Sequence, residues 1–308
     1  MSPNLPVEIF REIVRHVLGS KETSDVIGFS SKPSWCRISS LVYSSKLLRA
    51  LSLERWFQTL YISTPGDIID GSLVFPEIKK SWTRELHCIL HETESSQMER
   101  WEIEGFKRLN KIRFDWIKPM PNDQSFTSTW FQSTIPMTEL EIRGMEWPSP
   151  KVVSSIARTF PHLEILRLQQ DTVWCGLCYL CCVPGFQEPG PSSITYKGGL
   201  GLPFHYSQAL APLSRLQVVI ITVRDNGRGE TELRNEAGKN DNIWSGECDE
   251  CMALMYSDSD YRERSTANKK KAVEKSEERP SSLEVVEWRF YSVPTFSYDD
   301  QPTPTPFD

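Results

Sequence analysis

Apolar side chains open the chain in a helical rhythm. Ile9, Ile13 and Val17 recur every four residues, and Phe10, Val14 and Leu18 form the adjacent stripe. Glu8, Arg11, Glu12, Arg15 and His16 fill the other positions, so residues 5–18 predict an amphipathic helix. Pro6 falls in the first turn, where a missing N–H costs nothing, and Gly19 is a good stop. Residues 20–34 are polar and hold Pro33. A second helical stretch is predicted over 35–51, with Trp35, Ile38, Leu41, Val42 and Leu48 on one face. A third short helix around 53–58 leads into a strand over 59–62.

Beyond residue 62 the texture changes to short alternating apolar segments. They lie at 86–90, 109–114, 140–142, 163–168, 216–223 and 283–290. Several share one local pattern: Leu, two residues, then apolar, any residue, apolar. "RLNKIRF", "HLEILRL", "RLQVVIITV" and "SLEVVEWRF" are the instances. The first four segments are spaced by about 23 to 31 residues, a period at which repeat architectures are built. Helical stretches fit between some of them, notably at 149–159. A strand, a turn, a helix and the next strand at that period predict a leucine-rich-repeat solenoid. One unit cannot bury its own apolar face, so stacking supplies the core. The repeats are irregular: no asparagine ladder is visible, and the interval from Leu216 to Leu283 is too long for one unit. That interval holds a nearly all-polar stretch at 224–242. The charged stretch 257–282, containing Lys269 to Lys271, is compatible with an exposed helix. The last residues, "PTFSYDDQPTPTPFD", are Pro-rich and predicted to be extended.

Composition narrows the function. The chain has 308 residues, 39% hydrophobic and 25% charged, with 10 Trp and 14 Phe, enough for a packed core. Its 35 basic and 41 acidic residues leave a net charge of −6 with no basic stripe, so nucleic-acid binding is not expected. The uncharged stretch 172–187 is too short to span a bilayer and holds Gly176, Pro184 and Gly185, so no membrane partner is expected. Charges at Glu8, Arg11, Glu12 and Arg15 break what would have to be the apolar run of a signal peptide. The expected compartment is therefore reducing, cytoplasmic or nuclear, and disulfides are disfavoured.

Eight cysteines then need another use. Cys175 and Cys178 form a C-x2-C pair, and Cys248 and Cys251 form a second. This spacing lets two thiolates reach one ion from a tight turn, and two pairs supply the four sulfurs of a closed tetrahedral zinc site. One structural zinc would pin the long polar excursion to the repeats. Cys181 is an alternative ligand and His205 a distant one. Buried or free thiols are the competing reading, and Cys36, Cys88 and Cys182 are read as small buried hydrophobes.

No enzyme signature emerges. "KGGLGLP" at 197–203 lacks the G-x4-G-K-[ST] order of a phosphate loop and reads as a tight turn. G-x-S-x-G, H-E-x-x-H and H-R-D sets are all absent. His87 and His91 share one side of an expected strand without a third ligand, so they read as surface or satisfied histidines. Asp258, Asp260 and Glu263 read as a solvated face. The chain is expected not to be an enzyme.

The opening "LPVEIFREIVRHVL" resembles the first helix of an F-box domain, through Leu5, Pro6, Glu8, Ile9 and Ile13. "ISSLVYSSKLLRALSLERWFQTLYI" is similar to the remainder of that domain and its exit into a first strand. "LRLQQDTVWCGLCYLCC", "GGLGLPFHY" and "WSGECDECMALMY", followed by "LEVVEWRF", resemble blocks of fungal F-box-like proteins, abundant in mushroom-forming species, that carry degenerate leucine-rich repeats. The resemblance covers most of residues 5–290. It implies a substrate-recognition subunit of a Skp–cullin–F-box ubiquitin ligase. Leu5, Pro6, Ile9, Ile13 and Val17 would face a Skp-type adaptor, and the repeats would select a target protein that the sequence does not name. A leucine-rich-repeat scaffold with no ligase link, its first helix serving as a repeat cap, is the alternative. The expected organisation is α/β: an F-box-like helical module over 1–62, an irregular repeat domain over 63–293 with a polar insertion at 224–282, and a tail at 294–308.

Overall fold

A computed structural model describes residues 5–19, 27–30, 32, 35–90, 103, 105–117, 136–174, 181–182, 193–225, 244–247, 257–274 and 279–292. Three helices come first: α1 (Val7–Val17), α2 (Trp35–Ser44) and α3 (Lys46–Trp56). Val14, Leu18, Ile38, Val42, Leu51 and Leu53 bury together between them, with Phe10, Leu41 and Leu48 at the margin. The expected helix over 35–51 is in fact two. Ser45 breaks it by adopting an extended backbone, and its hydroxyl then accepts a hydrogen bond from the Leu48 N–H, capping α3. Trp35, expected inward, is 45% exposed, and Cys36, expected buried, is exposed beside it in the first turn of α2, where Ile38 takes the inward position.

The rest is a mixed α/β structure around one large sheet. Chain order runs β1 (Thr59–Ile62), α4 (Pro65–Val74), a π-helical turn (Ile78–Trp82), β2 (Glu85–Leu90), β3 (Lys111–Trp116), β4 (Glu139–Met145), α5 (Pro150–Thr159) and β5 (Ile165–Gln170). Two short strands follow, β6 (Val173–Trp174) and β7 (Cys181–Cys182), then β8 (Ser193–Lys197), α6 (Phe204–Leu210), β9 (Val218–Asp225), α7 (Ser259–Glu274) and β10 (Val285–Ser292). The sheet order is β1-β2-β3-β4-β5-β9-β10-β8. Every pairing from β1 to β10 is parallel, and β8 closes the far edge antiparallel to β10. β6 and β7 pair separately as an antiparallel hairpin.

Each parallel strand after β1 is entered in the same way. The carbonyl of Gln58 accepts hydrogen bonds from both Arg84 N–H and Glu85 N–H, and the carbonyl of Arg84 does the same for Asn110 and Lys111. Asn110, Thr138, Glu164 and Gln217 continue the series to Glu284 and Val285. Two residues before each parallel strand of the large sheet from β3 on, a side chain is buried: Leu109, Met137, Leu163, Leu216 and Leu283.

Strand alternation then divides the faces. Leu60, Leu86, Ile112, Leu140, Leu166, Val219 and Val286 stand in one register row, and Ile62, Cys88, Phe114, Ile142, Leu168, Ile221 and Trp288 in another. Both rows face the main core, together with Ile68 of α4, Ile78, Val153 and Ile156 of α5, and Tyr206 and Leu210 of α6. The module and the sheet share apolar contacts: Phe57, Phe75 and Trp82 pack against both cores, with the rings of Phe57 and Trp82 stacked 6.0 Å apart. The strands expected from alternation are present, as is α5 at the position read as helical. α7 lies inside the charged stretch read as compatible with an exposed helix.

Candidate functional site

Helix α1 carries two apolar stripes with opposite fates. Val14 and Leu18 are buried against the module, 2% and 4% exposed. Leu5, Val7, Ile9, Ile13 and Val17 are left between 37% and 52% exposed, and Pro6 is exposed with them. The residues that the resemblance singles out, Leu5, Pro6, Ile9, Ile13 and Val17, are therefore on the surface. Exposed Tyr43 and Leu47 in the same module lacked a signal in the pattern, because one helix was expected over 35–51, across the break at Ser45.

The second candidate surface is the open face of the sheet. Here the register rows are ionic. Lys111 Nζ lies 3.5 Å from Glu85, 3.3 Å from Glu139 and 3.4 Å from Glu141. Arg143 binds Glu141 at 2.5 Å, Arg167 binds Glu139 at 2.9 Å, and Arg289 forks onto Glu287 at 2.9 and 3.0 Å. Burial alone would lower the Lys111 pKa, but the three carboxylates outweigh it and raise it. Burial would raise the Glu141 pKa, but Arg143 and Lys111 bring it below the usual carboxylate range. A groove of about 570 Å³ runs over this face, lined among others by Lys111, Glu141, Arg167, Ile220, Thr222 and Arg289.

At the β1–β3 end the face is closed by the chain itself. Asp115 is fully buried and accepts from Arg113 Nε and Nη2, both at 2.7 Å, and pairs with His87 Nε2 at 3.0 Å. The fourth hydrogen bond comes from the N–H of Gly28, at 2.8 Å, and the Gly28 carbonyl accepts from Tyr61 Oη, also at 2.8 Å. Burial would raise the Asp115 pKa, but the hydrogen bonds and charges of His87 and Arg113 prevail and hold it well below the ordinary carboxylate value. Residues 27–30 thus strap the connection between α1 and α2 onto the sheet. Lys32 adds a further tie, its ammonium 5.0 Å from the Trp56 ring centroid, and burial brings its pKa down to about 7. His87 is the satisfied histidine that the sequence suggested; His91 lies outside the described residues.

Cys175, Cys178, Cys248 and Cys251 also lie outside the described residues, and among the described ones no cluster of metal-ligating groups occurs. Cys88 is buried, and burial raises its thiol pKa well above the ordinary value. His205 sits at the start of α6 with its ring 4.6 Å from that of Trp174, and burial lowers its pKa to about 4. Gly198, Gly199 and Gly201 all have positive φ in the turn after β8, the tight turn expected of that glycine-rich run.

No helix among the described residues is long and apolar enough to cross a membrane. What the fold and its surfaces define is a mixed α/β protein with a parallel-rich sheet, a charged open face and a helical module presenting an apolar stripe. No protein-family model, curated protein or solved structure matches the chain.

Proposed function

We propose that the chain is a protein-interaction receptor of the F-box type, the substrate-recognition subunit of a Skp–cullin–F-box ubiquitin ligase in the cytoplasm or nucleus. In this reading Leu5, Pro6, Ile9, Ile13 and Val17 dock a Skp-type adaptor. The sheet is an irregular leucine-rich-repeat array whose open face takes the target protein. The observation that carries it is the exposed stripe of α1. An apolar helix face left in water on a helix already anchored by its other face fits the groove-binding mode of peptide and helix recognition. The sequential parallel strands and their recurring carbonyl entries support the repeat half of the reading.

A second reading, a repeat-protein scaffold with no ligase link, has its own support. Phe57, Phe75 and Trp82 join the module to the sheet core, as they would in a cap over the β1 edge. A cap accounts for the buried stripe of α1 and leaves the exposed one without a role.

Co-expression of the full chain with a Skp-type adaptor, followed by size-exclusion chromatography, separates the two. A stoichiometric complex is expected from the native chain and none from the Ile9→Asp/Ile13→Asp variant, whose urea unfolding should match the parent. Failure of the native chain to hold the adaptor leaves the cap reading standing. Retention of the adaptor by the soluble double variant rejects this docking face.

A further inference from the structure

We propose that the cavity where the helical module meets the sheet binds a phosphate-class oxyanion, either free phosphate or a small phosphate ester. The inference does not rest on adaptor docking.

α1, α3, the π-helical turn and the entry to β2 all contribute to the lining of this cavity, about 190 Å³ in volume. Each brings a polar group there for a local reason. Arg11 and Arg15 are four apart on α1, so they share one side of that helix. Arg55 stands on α3 and donates to the side chain of Gln58. Arg84 is fixed through its backbone: its N–H donates to the Gln58 carbonyl at 2.9 Å, and its side chain is left exposed at the cavity. The π-helical turn supplies Ser81 and Trp82, and Arg108 Nη1 stands 3.5 Å from the Ser81 carbonyl. Single π-helical turns are rare and occur frequently at functional sites. Buried Val14 and Leu51 add an apolar part to the lining.

The charge of this lining is unbalanced. Four arginines meet two carboxylates, Glu12 and Glu54. Arg15 takes Glu12 at 2.8 Å. That leaves Arg11, Arg55 and Arg84 with Glu54, in a chain whose net charge is −6. Glu77 at the head of the turn is engaged elsewhere, accepting from Ser81 Oγ at 2.7 Å and lying 3.9 Å from Lys80. The open sheet face is the contrast: there Lys111 alone has three carboxylates within 3.5 Å. Guanidiniums that converge from separate elements repel one another, and a cleft lined by one sign of charge concentrates counter-ions.

Shape and charge then choose the ligand. One guanidinium fork matches a planar carboxylate, as Arg113 does for Asp115 and Arg289 for Glu287. Guanidiniums arriving from α1, α3 and the β2 entry suit a tetrahedral anion with several oxygens to share among them. A volume of about 190 Å³ holds roughly six waters, which is room for one phosphate group and little more. An anion held there ties α1 and α3 to the turn and to β2, so its binding stabilises the joint between module and sheet.

The test is thermal unfolding of the full chain with inorganic phosphate, phosphoserine or acetate, at an ionic strength held constant with chloride. Phosphate is expected to raise Tm saturably, and acetate is expected to leave it unchanged. A rise with phosphoserine as well assigns the site to a phosphate ester; a rise with phosphate alone assigns it to the free anion. The Arg11→Gln/Arg84→Gln variant replaces two exposed side chains and should fold as the parent does. By titration calorimetry it should bind phosphate at least about tenfold more weakly, the effect of losing charge-assisted hydrogen bonds. Arg158→Gln, at an exposed arginine of α5, should keep the native affinity. The native titration carries the test even where a variant fails to fold. A rise with acetate equal to that with phosphate overturns the ligand class, and undiminished phosphate affinity in the folded double variant overturns the location. No saturable response to phosphate or phosphoserine overturns the site itself.

Discussion

Two regions of this molecule break the rule of apolar inside and polar outside, in opposite directions. On the open sheet face, Asp115, Arg113 and His87 are charged or polar and at most 2% exposed. On α1, Ile9, Ile13 and Val17 are apolar and 40% exposed or more. The first exception is internally complete: each lone pair of Asp115 that the geometry identifies meets a donor from Arg113, His87 or the strap. Among the described residues, nothing covers the second. A buried polar group that finds its partners is explained by folding, whereas an exposed apolar stripe on an anchored helix gains nothing from folding. That difference is why the helix, and not the ion cluster, is read as the docking element.

The comparison is broken most forcefully at Asp115. Asp115→Asn should destabilise the fold by about 3–5 kcal/mol, the usual result of removing one partner from a buried ion pair, as seen in the urea midpoint. The same carboxylate sets an acid limit. Its folded pKa lies below the unfolded value of about 3.9, so its contribution is full above about pH 4 and is lost progressively as the pH falls toward the folded pKa. The native chain should therefore lose stability steeply below pH 4, and the variant should lack that part of the slope. Equal slopes would show that the cluster is not ionised in the way the geometry implies.

Of this cluster only His87, as a satisfied histidine, was legible in the sequence. The segment 109–114 reads as an alternating strand and nothing more, because partners of Asp115 sit 28 residues away at His87 and 87 residues away at Gly28. The strands themselves were legible, because Leu109, Leu163, Leu216 and Leu283 announce them with a side chain buried just ahead of each. The recurring strand entry was not. Its hydrogen bonds run through backbone carbonyls, so Gln58, Arg84, Asn110, Thr138, Glu164 and Gln217 share a role without sharing a chemistry. β6 and β7 have two residues each, too few to show alternation. The stripe on α1 was legible because a period of four survives whatever the helix packs against.

A smaller break lies at the strap. Gly28 has φ +81, and a Cβ there would stand 3.3 Å from the Ile117 side chain. Gly28→Ala should cost about 1–2 kcal/mol through the left-handed backbone alone. If the strap is what ties the module to the sheet, loss of the Asp115 bond should also be visible as faster hydrogen exchange at the Gly28 amide. An unchanged urea midpoint would mean that residues 27–30 are not held in this conformation in solution.

The smallest effect on stability belongs to the exposed stripe, and there the comparison becomes sharpest. Ile9→Asp and Ile13→Asp remove apolar surface that the chain leaves in water, so each should shift unfolding by no more than about 0.5 kcal/mol. Position 9 lies in the first turn of α1, where a carboxylate is favoured by the helix dipole and offsets part of any propensity loss. Position 13 lies past the middle of the helix and lacks that compensation, so of the two it should be the slightly more costly. A large loss at either position would mean that the stripe is covered by the chain itself. Urea titration of the single variants, done before any adaptor is added, therefore decides whether α1 is free to dock at all.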